Sequence, residues 1–179
     1  MKKIKIYGLG GQGVVTMGKV LCTAYSIYEN EFSKTMPAYG HERKGGAVLT
    51  DVISDEAPIL TNSFISVPDC VIVLAPKAQA EELHLSVDSA SKAVLILNTS
   101  EPSQEYVSAF SKCWYVDATD ISLKHCGRNL PNIGMMGALA KSGMIKIEAV
   151  QNAISDFFGA KADLYQKILM EAYNDTKEK

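Results

Sequence analysis

Residues that commonly carry catalysis are scarce in this chain. Four cysteines and three histidines are spread over its 179 residues, and no two cysteines have the spacing of two to four residues that places both thiolates on one metal ion. Gly-x-Ser-x-Gly, His-Glu-x-x-His and Walker-type lysine motifs are missing as well. These absences argue against a nucleophile, a zinc site or an iron–sulfur cluster built within this chain alone.

Long apolar runs and an excess of one charge are also missing. No stretch of 18 apolar residues occurs, which excludes a transmembrane helix. The basic start, Met1-Lys2-Lys3, is followed too soon by Gly8 for the core of a signal peptide. The 18 Lys and Arg against 20 Asp and Glu give a formal net charge of −2. We therefore expect a cytoplasmic protein whose partners are neither nucleic acid nor a membrane.

What the chain does contain is the composition of an ordinary globular domain. Hydrophobic residues make up 47% and charged residues 21% of the sequence, which are typical values. A chain of this length buries roughly two-thirds of the surface that it exposes when unfolded, so it can form a real core. No internal repeat or linker-like stretch interrupts it, and we predict one domain over residues 1–179.

The hydrophobic pattern alternates between strands and helices. Short β-branched or continuous apolar runs predict strands at Lys3–Tyr7, Glu31–Met36, Ala47–Ile53, Asp69–Leu74, Ala93–Leu97 and Cys113–Val116. Helical spacing and composition predict helices at Gly11–Tyr28, Lys77–Leu85, Glu101–Lys112, Pro131–Ser142, Ile147–Phe158 and Ala162–Tyr173. Because such alternation is typical of βαβ units, we predict an α/β fold with a mostly parallel sheet, flanking helices and a helical C-terminal segment.

The segments between these elements give further expectations. Asn98-Thr99-Ser100 has the composition of a natural helix cap. Pro37–Gly46 is predicted to be a loop, and so is the region of His125 and Cys126. The last six residues, Asn174–Lys179, are expected to fray.

The segment Gly8–Gly13 has the pattern Gly-x-Gly-x-x-Gly between a predicted strand and a predicted helix. In nucleotide-binding folds the first glycine permits a tight turn, the second admits the ligand to the backbone, and the third lets helix and strand pack closely. The amide groups at the start of the helix suit a phosphate or a carboxylate. Gln12 adds a side-chain amide to this loop, which indicates a contact surface.

One companion of a dinucleotide site is missing. An Asp or Glu that binds the ribose normally ends the second strand, roughly 20 residues after the glycines. Here the region is Phe32–Met36, with no acid at its end. Lys34 would instead suit the 2′-phosphate of NADP. The segment Gly8–Gly13 can therefore be interpreted either as a nucleotide site or as a purely structural glycine turn.

The second notable segment, Tyr39–Gly46, combines three glycines, an aromatic ring and four polar side chains. Glycines at this density exclude a core helix or strand. A solvated hairpin loop is one interpretation. The other is a contact loop in which Arg43 and Lys44 hold phosphates or carboxylates and Tyr39 supplies a stacking face. In a doubly wound sheet the two glycine-rich segments would meet at the carboxyl ends of the strands and form a docking surface.

Three segments together resemble the gamma subunit of the 2-oxoacid:ferredoxin oxidoreductases. They are Gly8–Thr16, Pro37–Val48 and Asn132–Leu139, and in order and spacing they extend over about residues 4–158. The Tyr-Gly-x-Glu-Arg form is closer to the pyruvate and 2-ketoisovalerate members than to the 2-oxoglutarate members. One departure is Lys44-Gly45-Gly46, where many pyruvate-type subunits have Arg-Gly-Ala.

The resemblance implies a Rossmann-like domain within a multi-subunit enzyme. Such enzymes oxidatively decarboxylate a 2-oxoacid, form an acyl-coenzyme A and pass electrons to ferredoxin or flavodoxin. Thiamine diphosphate and magnesium lie between the alpha and beta subunits, and iron–sulfur clusters lie in the beta subunit and the ferredoxin-like delta subunit. The gamma subunit packs on the alpha and beta subunits near the entry of coenzyme A, with no catalytic residue or metal ligand of its own.

The resemblance also implies a set of contact residues for coenzyme A, drawn from the first two segments. They are Gly8, Gly10, Gly11, Gln12, Gly13, Tyr39, Gly40, Glu42, Arg43, Gly45 and Gly46. Two alternatives are a free-standing NAD(P)-binding Rossmann-type oxidoreductase and a purely structural assembly subunit. Titration of the chain with NADH and NADPH tests the first, and the Michaelis constant for coenzyme A in an Arg43→Ala variant tests the second.

Overall fold

The computed structural model describes residues 1–39, 46–78 and 92–179. Its strands are β1 (Lys2–Leu9), β2 (Phe32–Tyr39), β3 (Ala47–Asp55), β4 (Cys70–Val73), β5 (Val94–Asn98), β6 (Lys112–Val116) and β7 (Lys177–Glu178). Its helices are α1 (Val14–Thr23, continued by a π-helix over Ala24–Tyr28), α2 (Gln104–Ala109), α3 (Ala118–Cys126), α4 (Asn132–Lys141), α5 (Ile147–Phe158) and α6 (Ala162–Asp175). Within these described ranges no helix has the length and apolar character needed to cross a membrane.

All seven strands form one sheet in the order β2-β3-β1-β4-β5-β6-β7. The four adjacent strands β1, β4, β5 and β6 form a parallel group. The strands outside it pair antiparallel, β3 with β1, β2 with β3, and β7 with β6. The predicted α/β fold, with a mostly parallel sheet and a helical C-terminal segment, is confirmed.

The position of β3 determines which segments meet. In the antiparallel pair of β1 and β3, Leu9 lies opposite Ala47, and in the pair of β2 and β3, Tyr39 lies opposite Val48. The carboxyl ends of β1 and β2 and the start of β3 therefore share one edge of the sheet. We call this edge, with the loop Gly8–Gly13 and residue Gly46, the glycine edge.

The two faces of the sheet carry separate apolar clusters. Ile4, Ile6 and Ile72 belong to the larger cluster, which also contains side chains of α1, α4, α5 and α6. Val71 and Val73 belong to the smaller cluster on the other face, beneath α2. Because successive side chains of a strand point to opposite faces, β4 is buried on both sides. This explains why its sequence is a continuous apolar run.

The structure corrects several boundaries near the glycine edge. The predicted loop from Pro37 begins too early, because β2 continues through Tyr39; a proline is tolerated there because β2 is an edge strand. Asn98 does not cap a helix but ends β5, and α2 covers only Gln104–Ala109, shorter than predicted. Of the predicted helix at 77–85, only Lys77 and Ala78 lie within the described residues, in a 3-10 turn.

Two expectations for the C-terminal half are wrong. His125 and Cys126 lie in the last turn of α3 rather than in a loop, where Glu171 Oε2 is 2.7 Å from His125 Nε2. The C-terminal residues do not fray completely, since Lys177 and Glu178 pair with β6. The helix had local signals, since Asp117 caps its start and Gly127 ends it in the left-handed region. The pairing of β7 with β6 joins residues far apart in the sequence, so a local pattern could not indicate it.

Candidate functional site

The loop Gly8–Gly13 connects β1 to α1 with two residues in the left-handed region. Gly11 has φ 99° and Gly13 has φ 79°, and side-chain-bearing residues adopt such angles only at a cost in energy. Gly13 is also the N-cap of α1, and neither an acidic residue nor a side-chain hydrogen bond satisfies this helix start. The first amides of α1 therefore suit an anionic ligand at the glycine edge.

Gln12 braces this loop from within. Its Oε1 accepts a hydrogen bond from the backbone N–H of Leu9 at 2.8 Å, and only 9% of the residue is exposed. The amide that indicated a contact surface in the sequence thus has a structural partner. It also lines the cleft described below.

The outer glycines of the motif have different roles from those that the motif predicts. A Cβ on Gly8 would lie nearer than 3.0 Å to the Val14 side chain, so the first glycine, not the third, lets β1 and α1 pack closely. A Cβ on Gly13 would lie nearer than 3.0 Å to the side-chain amide of Asn132. The third glycine therefore brings the loop against α4.

Asn132 is a further site residue, which the sequence indicates only as the first residue of the segment Asn132–Leu139. It lies at the start of α4, is 5% exposed, and its Nδ2 donates to the Gly13 carbonyl oxygen at 3.3 Å. Its Oδ1 is buried without a hydrogen-bond partner among the described residues. Asn132 thus holds the N-terminus of α1 through its hydrogen bond to Gly13. No pattern in the neighbouring sequence indicates this role.

The two glycine-rich segments meet, as predicted. The backbone N–H of Gly10 donates to the carbonyl oxygen of Gly46 at 2.8 Å, which connects the first loop to the end of the second. Tyr39 ends β2 on the same edge. The remaining predicted contact residues of this segment, Gly40, Glu42, Arg43 and Gly45, lie outside the described residues.

A cleft of about 640 Å³ extends from the glycine loop along the carboxyl ends of β4 and β5. Its floor is organised by Asn98, whose Nδ2 donates to the Leu74 carbonyl oxygen and to Thr119 Oγ1, both at 2.8 Å. Leu9 and Gln12 line it on the side of the glycine loop. The cleft is where ligands bind in open α/β sheets. Asn98, which the sequence analysis placed in a helix cap, is instead the polar residue that ends β5 at this cleft.

Comparison with known proteins identifies the family. The family model described as "Pyruvate ferredoxin/flavodoxin oxidoreductase" matches residues 3–173. The chain belongs to this family. The resemblance of its three segments to gamma subunits is confirmed, and this family member is a subunit of a multi-subunit oxidoreductase.

Its relatives in the pyruvate ferredoxin/flavodoxin oxidoreductase family match it over nearly their whole length. The Pyrococcus abyssi "Pyruvate/ketoisovalerate oxidoreductases common subunit gamma" is 34% identical over 183 residues, 99% of this chain and 98% of the relative. The Methanosarcina barkeri "Pyruvate synthase subunit PorC" is 35% identical over 160 residues, 86% of this chain and 85% of the relative.

Solved structures share the fold of this family member. The crystal structure of pyruvate oxidoreductase subunit PORC from Thermotoga maritima has a TM-score of 0.81 and 26% identity, covering 99% of this chain and 97% of that one. A 2-oxoglutarate:ferredoxin oxidoreductase from Magnetococcus marinus has a TM-score of 0.77 at 16% identity, and the match covers 97% of this chain and 30% of that chain. The second likeness shows the fold alone.

Thiamine diphosphate and iron–sulfur clusters are traits of this family's complete enzymes, and the described residues of this family member contain no donor set that fits a cluster. In the ranges that the structure describes, no three His, Cys, Asp or Glu side chains form a group that could hold a metal ion. Burial raises the pKa of the Cys113 thiol to about 11 and also raises that of Cys70. Both buried thiols are therefore weak nucleophiles.

A substitution at Gly13 tests the close packing of the loop against α4. Gly13→Ala adds a Cβ to a left-handed residue and against Asn132, and we expect it to lower the free energy of unfolding by about 2 kcal/mol. Gly11→Ala is the control, since its φ is also positive but nothing lies within 4 Å. Denaturant unfolding should show a smaller loss for Gly11→Ala, and Asn132→Ala should partly rescue Gly13→Ala. Equal losses in both single variants would contradict the assigned contact.

Proposed function

We propose that this chain is the gamma subunit of a pyruvate- or 2-ketoisovalerate-type ferredoxin/flavodoxin oxidoreductase and that its glycine edge lines the path by which coenzyme A reaches the catalytic subunits. The chain acts in this role as one domain over residues 1–179. The names of the relatives, which refer to pyruvate and ketoisovalerate, support the substrate class.

The observation that carries the proposal is the hydrogen bond between Gly10 N–H and the Gly46 carbonyl oxygen. It joins the loop that presents the helix amides to Gly46, which in the sequence follows directly after the segment that contains Arg43 and Lys44. Backbone amides and guanidinium groups are both suited to phosphate oxygens. Coenzyme A carries several phosphates on a long flexible molecule, so a subunit can bind it far from the reacting thiol.

The proposed contact residues divide by role. Gly10, Gly11 and Gly13 present the backbone to the ligand, while Gly8 and Gln12 hold the loop in shape. Tyr39 supplies a ring face, and Arg43 supplies a positive charge. The proposed contact set also includes Gly40, Glu42, Gly45 and Gly46.

The chemistry itself is proposed to occur on partner subunits. The alpha and beta subunits hold thiamine diphosphate with magnesium, and the beta and ferredoxin-like delta subunits carry the iron–sulfur clusters that deliver electrons to ferredoxin or flavodoxin. Thiamine diphosphate supplies the decarboxylation chemistry when it is bound. The residues of this chain bind and orient coenzyme A and restrict the access of water to the path.

A free-standing NAD(P) enzyme is not favoured by the strand order. In dinucleotide-binding folds the second strand lies next to the first, so that its terminal acid reaches the ribose. Here β3 lies between β1 and β2, which removes that arrangement. Lys34, which suited a 2′-phosphate, instead donates to the Thr61 carbonyl oxygen at 2.9 Å and to Asn62 Oδ1. We expect no micromolar binding when the chain is titrated with NADH or NADPH.

The direct test is the Arg43→Ala variant of the assembled enzyme. Loss of one charge-assisted phosphate contact should raise the Michaelis constant for coenzyme A roughly ten-fold, with kcat and subunit composition unchanged. Lys161→Ala is the matched control, because Lys161 is exposed between α5 and α6. An unchanged Michaelis constant in both Arg43→Ala and Lys44→Ala would instead support a purely structural subunit.

A further inference from the structure

The side-chain amide of Gln12 is used on one side only. Its Oε1 accepts from the Leu9 backbone N–H at 2.8 Å, and because an oxygen must face this donor, the orientation of the carboxamide is fixed. The opposite atom, Nε2, has no hydrogen-bond partner among the residues that the structure describes. Gln12 is 9% exposed and lines the cleft, so its Nε2 is a donor at a nearly buried position on the cleft wall.

The turn that carries this donor holds it in place. The backbone N–H of Gln12 donates to the Leu9 carbonyl oxygen at 3.1 Å, so Gln12 binds both backbone groups of Leu9. Gly11, with φ 99°, lies between the two residues and permits the turn. A donor that is held before the ligand arrives loses little entropy on binding. A nearly buried donor without a partner is unfavourable until an acceptor reaches it.

The other polar groups of the cleft differ from Gln12, because they are either bonded within the protein or exposed to water. Asn98 donates to Thr119 Oγ1 and also accepts from the Thr119 backbone N–H at 3.2 Å. Thr99 Oγ1 donates to the Glu101 carbonyl oxygen and accepts from the Glu101 N–H. Several further lining residues are exposed and can bond to water, namely Lys77, Ser100, Ser103 and Asn129. A ligand in the cleft therefore gains most from an acceptor placed against Gln12.

The walls of the cleft favour an uncharged ligand. Much of the lining is apolar or aromatic and comes from Leu9, Leu74, Pro76, Leu97, Pro102 and Tyr106. The charged side chains among the described lining residues are Lys77, Glu101 and Asp117, two negative against one positive. A phosphate in the cleft would therefore meet a net negative charge. The segment with Arg43 and Lys44, which precedes Gly46 in the sequence, suits phosphates better.

Coenzyme A has two chemically different parts that match these two surroundings. Its nucleotide end carries the phosphates, whereas its pantetheine arm is an uncharged chain with two amide groups that ends in the reacting thiol. An amide carbonyl is a good acceptor for a side-chain N–H of glutamine. The cleft volume of about 640 Å³ is within the range of small-molecule sites.

We propose that Gln12 Nε2 donates a hydrogen bond to an amide carbonyl oxygen of the pantetheine arm, and that the cleft accommodates this arm while the phosphates stay at the glycine edge. Gln12 is then a binding residue for the coenzyme as well as the brace of its own loop. The inference rests on the proposed role of the glycine edge in coenzyme A access and adds which part of the coenzyme lies where.

The first test is Gln12→Glu in the assembled enzyme. This variant keeps an oxygen for the Leu9 N–H and replaces the donor at Nε2. We expect the Michaelis constant for coenzyme A to rise roughly ten-fold at pH 8 with kcat unchanged. The rise should be smaller at pH 6, because a protonated carboxyl can again donate. Gln104→Glu is the matched control, since Gln104 is exposed on α2 outside the cleft lining, and it should change neither constant.

The second test uses the two halves of the coenzyme as inhibitors that compete with coenzyme A. Gln12→Glu should raise the inhibition constant of pantetheine roughly ten-fold and leave that of adenosine 3′,5′-bisphosphate unchanged. Arg43→Ala should have the opposite pattern. If pantetheine does not compete in the unchanged enzyme, or if Gln12→Glu weakens only the bisphosphate, the inference is wrong.

Further outcomes separate this inference from the proposed function. If Arg43→Ala raises the Michaelis constant for coenzyme A and Gln12→Glu does not, the glycine edge keeps its role and the assignment of Gln12 fails. If neither variant nor Lys44→Ala changes that constant, the proposed function fails as well. If Gln12→Glu does not assemble, Gln12→Met provides an uncharged side chain of similar length. It should raise the Michaelis constant for coenzyme A equally at pH 6 and pH 8, and an unchanged constant would overturn the inference.

Discussion

Asp51→Asn should lower the free energy of unfolding by about 3 kcal/mol. Asp51 is fully buried, and its Oδ1 lies 3.1 Å from Nζ of Lys5, directly opposite on β1. The neutral amide can still accept the hydrogen bond from Ile65, but it leaves the nearly buried ammonium group of Lys5 without its counter-charge. Removal of one partner of a buried pair costs more than the pair itself contributes. For a chain of this length the loss corresponds to a fall in Tm of roughly 6 to 12 °C.

The control for this prediction is Asp55→Asn on the same strand. Asp55 forms a partly exposed ion pair with the amino group of Met1, so its replacement should change stability little. Lys5→Met combined with Asp51→Asn removes both charges and should recover most of the loss. Urea unfolding of the four proteins measures these differences. Equal free energies of unfolding for the two Asp→Asn variants would show that the buried Lys5–Asp51 pair contributes no more to stability than the exposed pair of Asp55.

Gly137→Val should lower the free energy of unfolding by about 4 kcal/mol. A Cβ at Gly137 of α4 would lie 2.5 Å from the Leu169 carbonyl oxygen and 3.0 Å from the Tyr173 amide nitrogen of α6. Both are backbone atoms, so no side chain can move aside and the two helices must separate. Because α4 and α6 contribute to the larger apolar cluster, this separation exposes core surface.

A graded series distinguishes this steric cause from a backbone effect. Gly137→Ala should lose about 2 kcal/mol, since its clash is offset in part by the better helix propensity of alanine. Gly143→Ala tests backbone strain alone, because φ is 83° and nothing lies within 4 Å. Thermal unfolding should place the Tm of Gly137→Val below that of Gly137→Ala, and both below that of Gly143→Ala. A stable Gly137→Val variant would mean that α4 and α6 can adjust freely.

The parts of the fold that depend on local pattern were predictable from the sequence. The helix over Ile147–Phe158 has the predicted bounds, and the buried strands β4 and β5 follow from continuous apolar runs. The order of the strands was not predictable in the same way. The antiparallel insertion of β3 beside β1 and the pairing of β7 depend on contacts between distant residues, which leave no periodic signal.

In the candidate site, too, some features were predictable from the sequence and others were not. The meeting of the two glycine-rich segments was predicted, because loops at the carboxyl ends of the strands lie on one edge of a doubly wound sheet. The roles of Gln12 and Asn132 were not, since the first turns inward to Leu9 and the second reaches the loop from a helix more than 100 residues later. The sequence shows which side chains a loop contains, but it does not show which of them form hydrogen bonds with the rest of the fold.

The connection between β2 and β3 tolerates changes of length that the connection between β1 and α1 does not. Residues 40–45 join two consecutive strands whose register is set by pairs such as Tyr39 with Val48, so insertions or deletions there need not displace the sheet. Gly8–Gly13 has no such freedom, because Val14 and Asn132 press against it. Variants that change the length of the chain at the glycine edge are therefore expected to fold when the change lies between β2 and β3, and to lose stability when it lies in Gly8–Gly13.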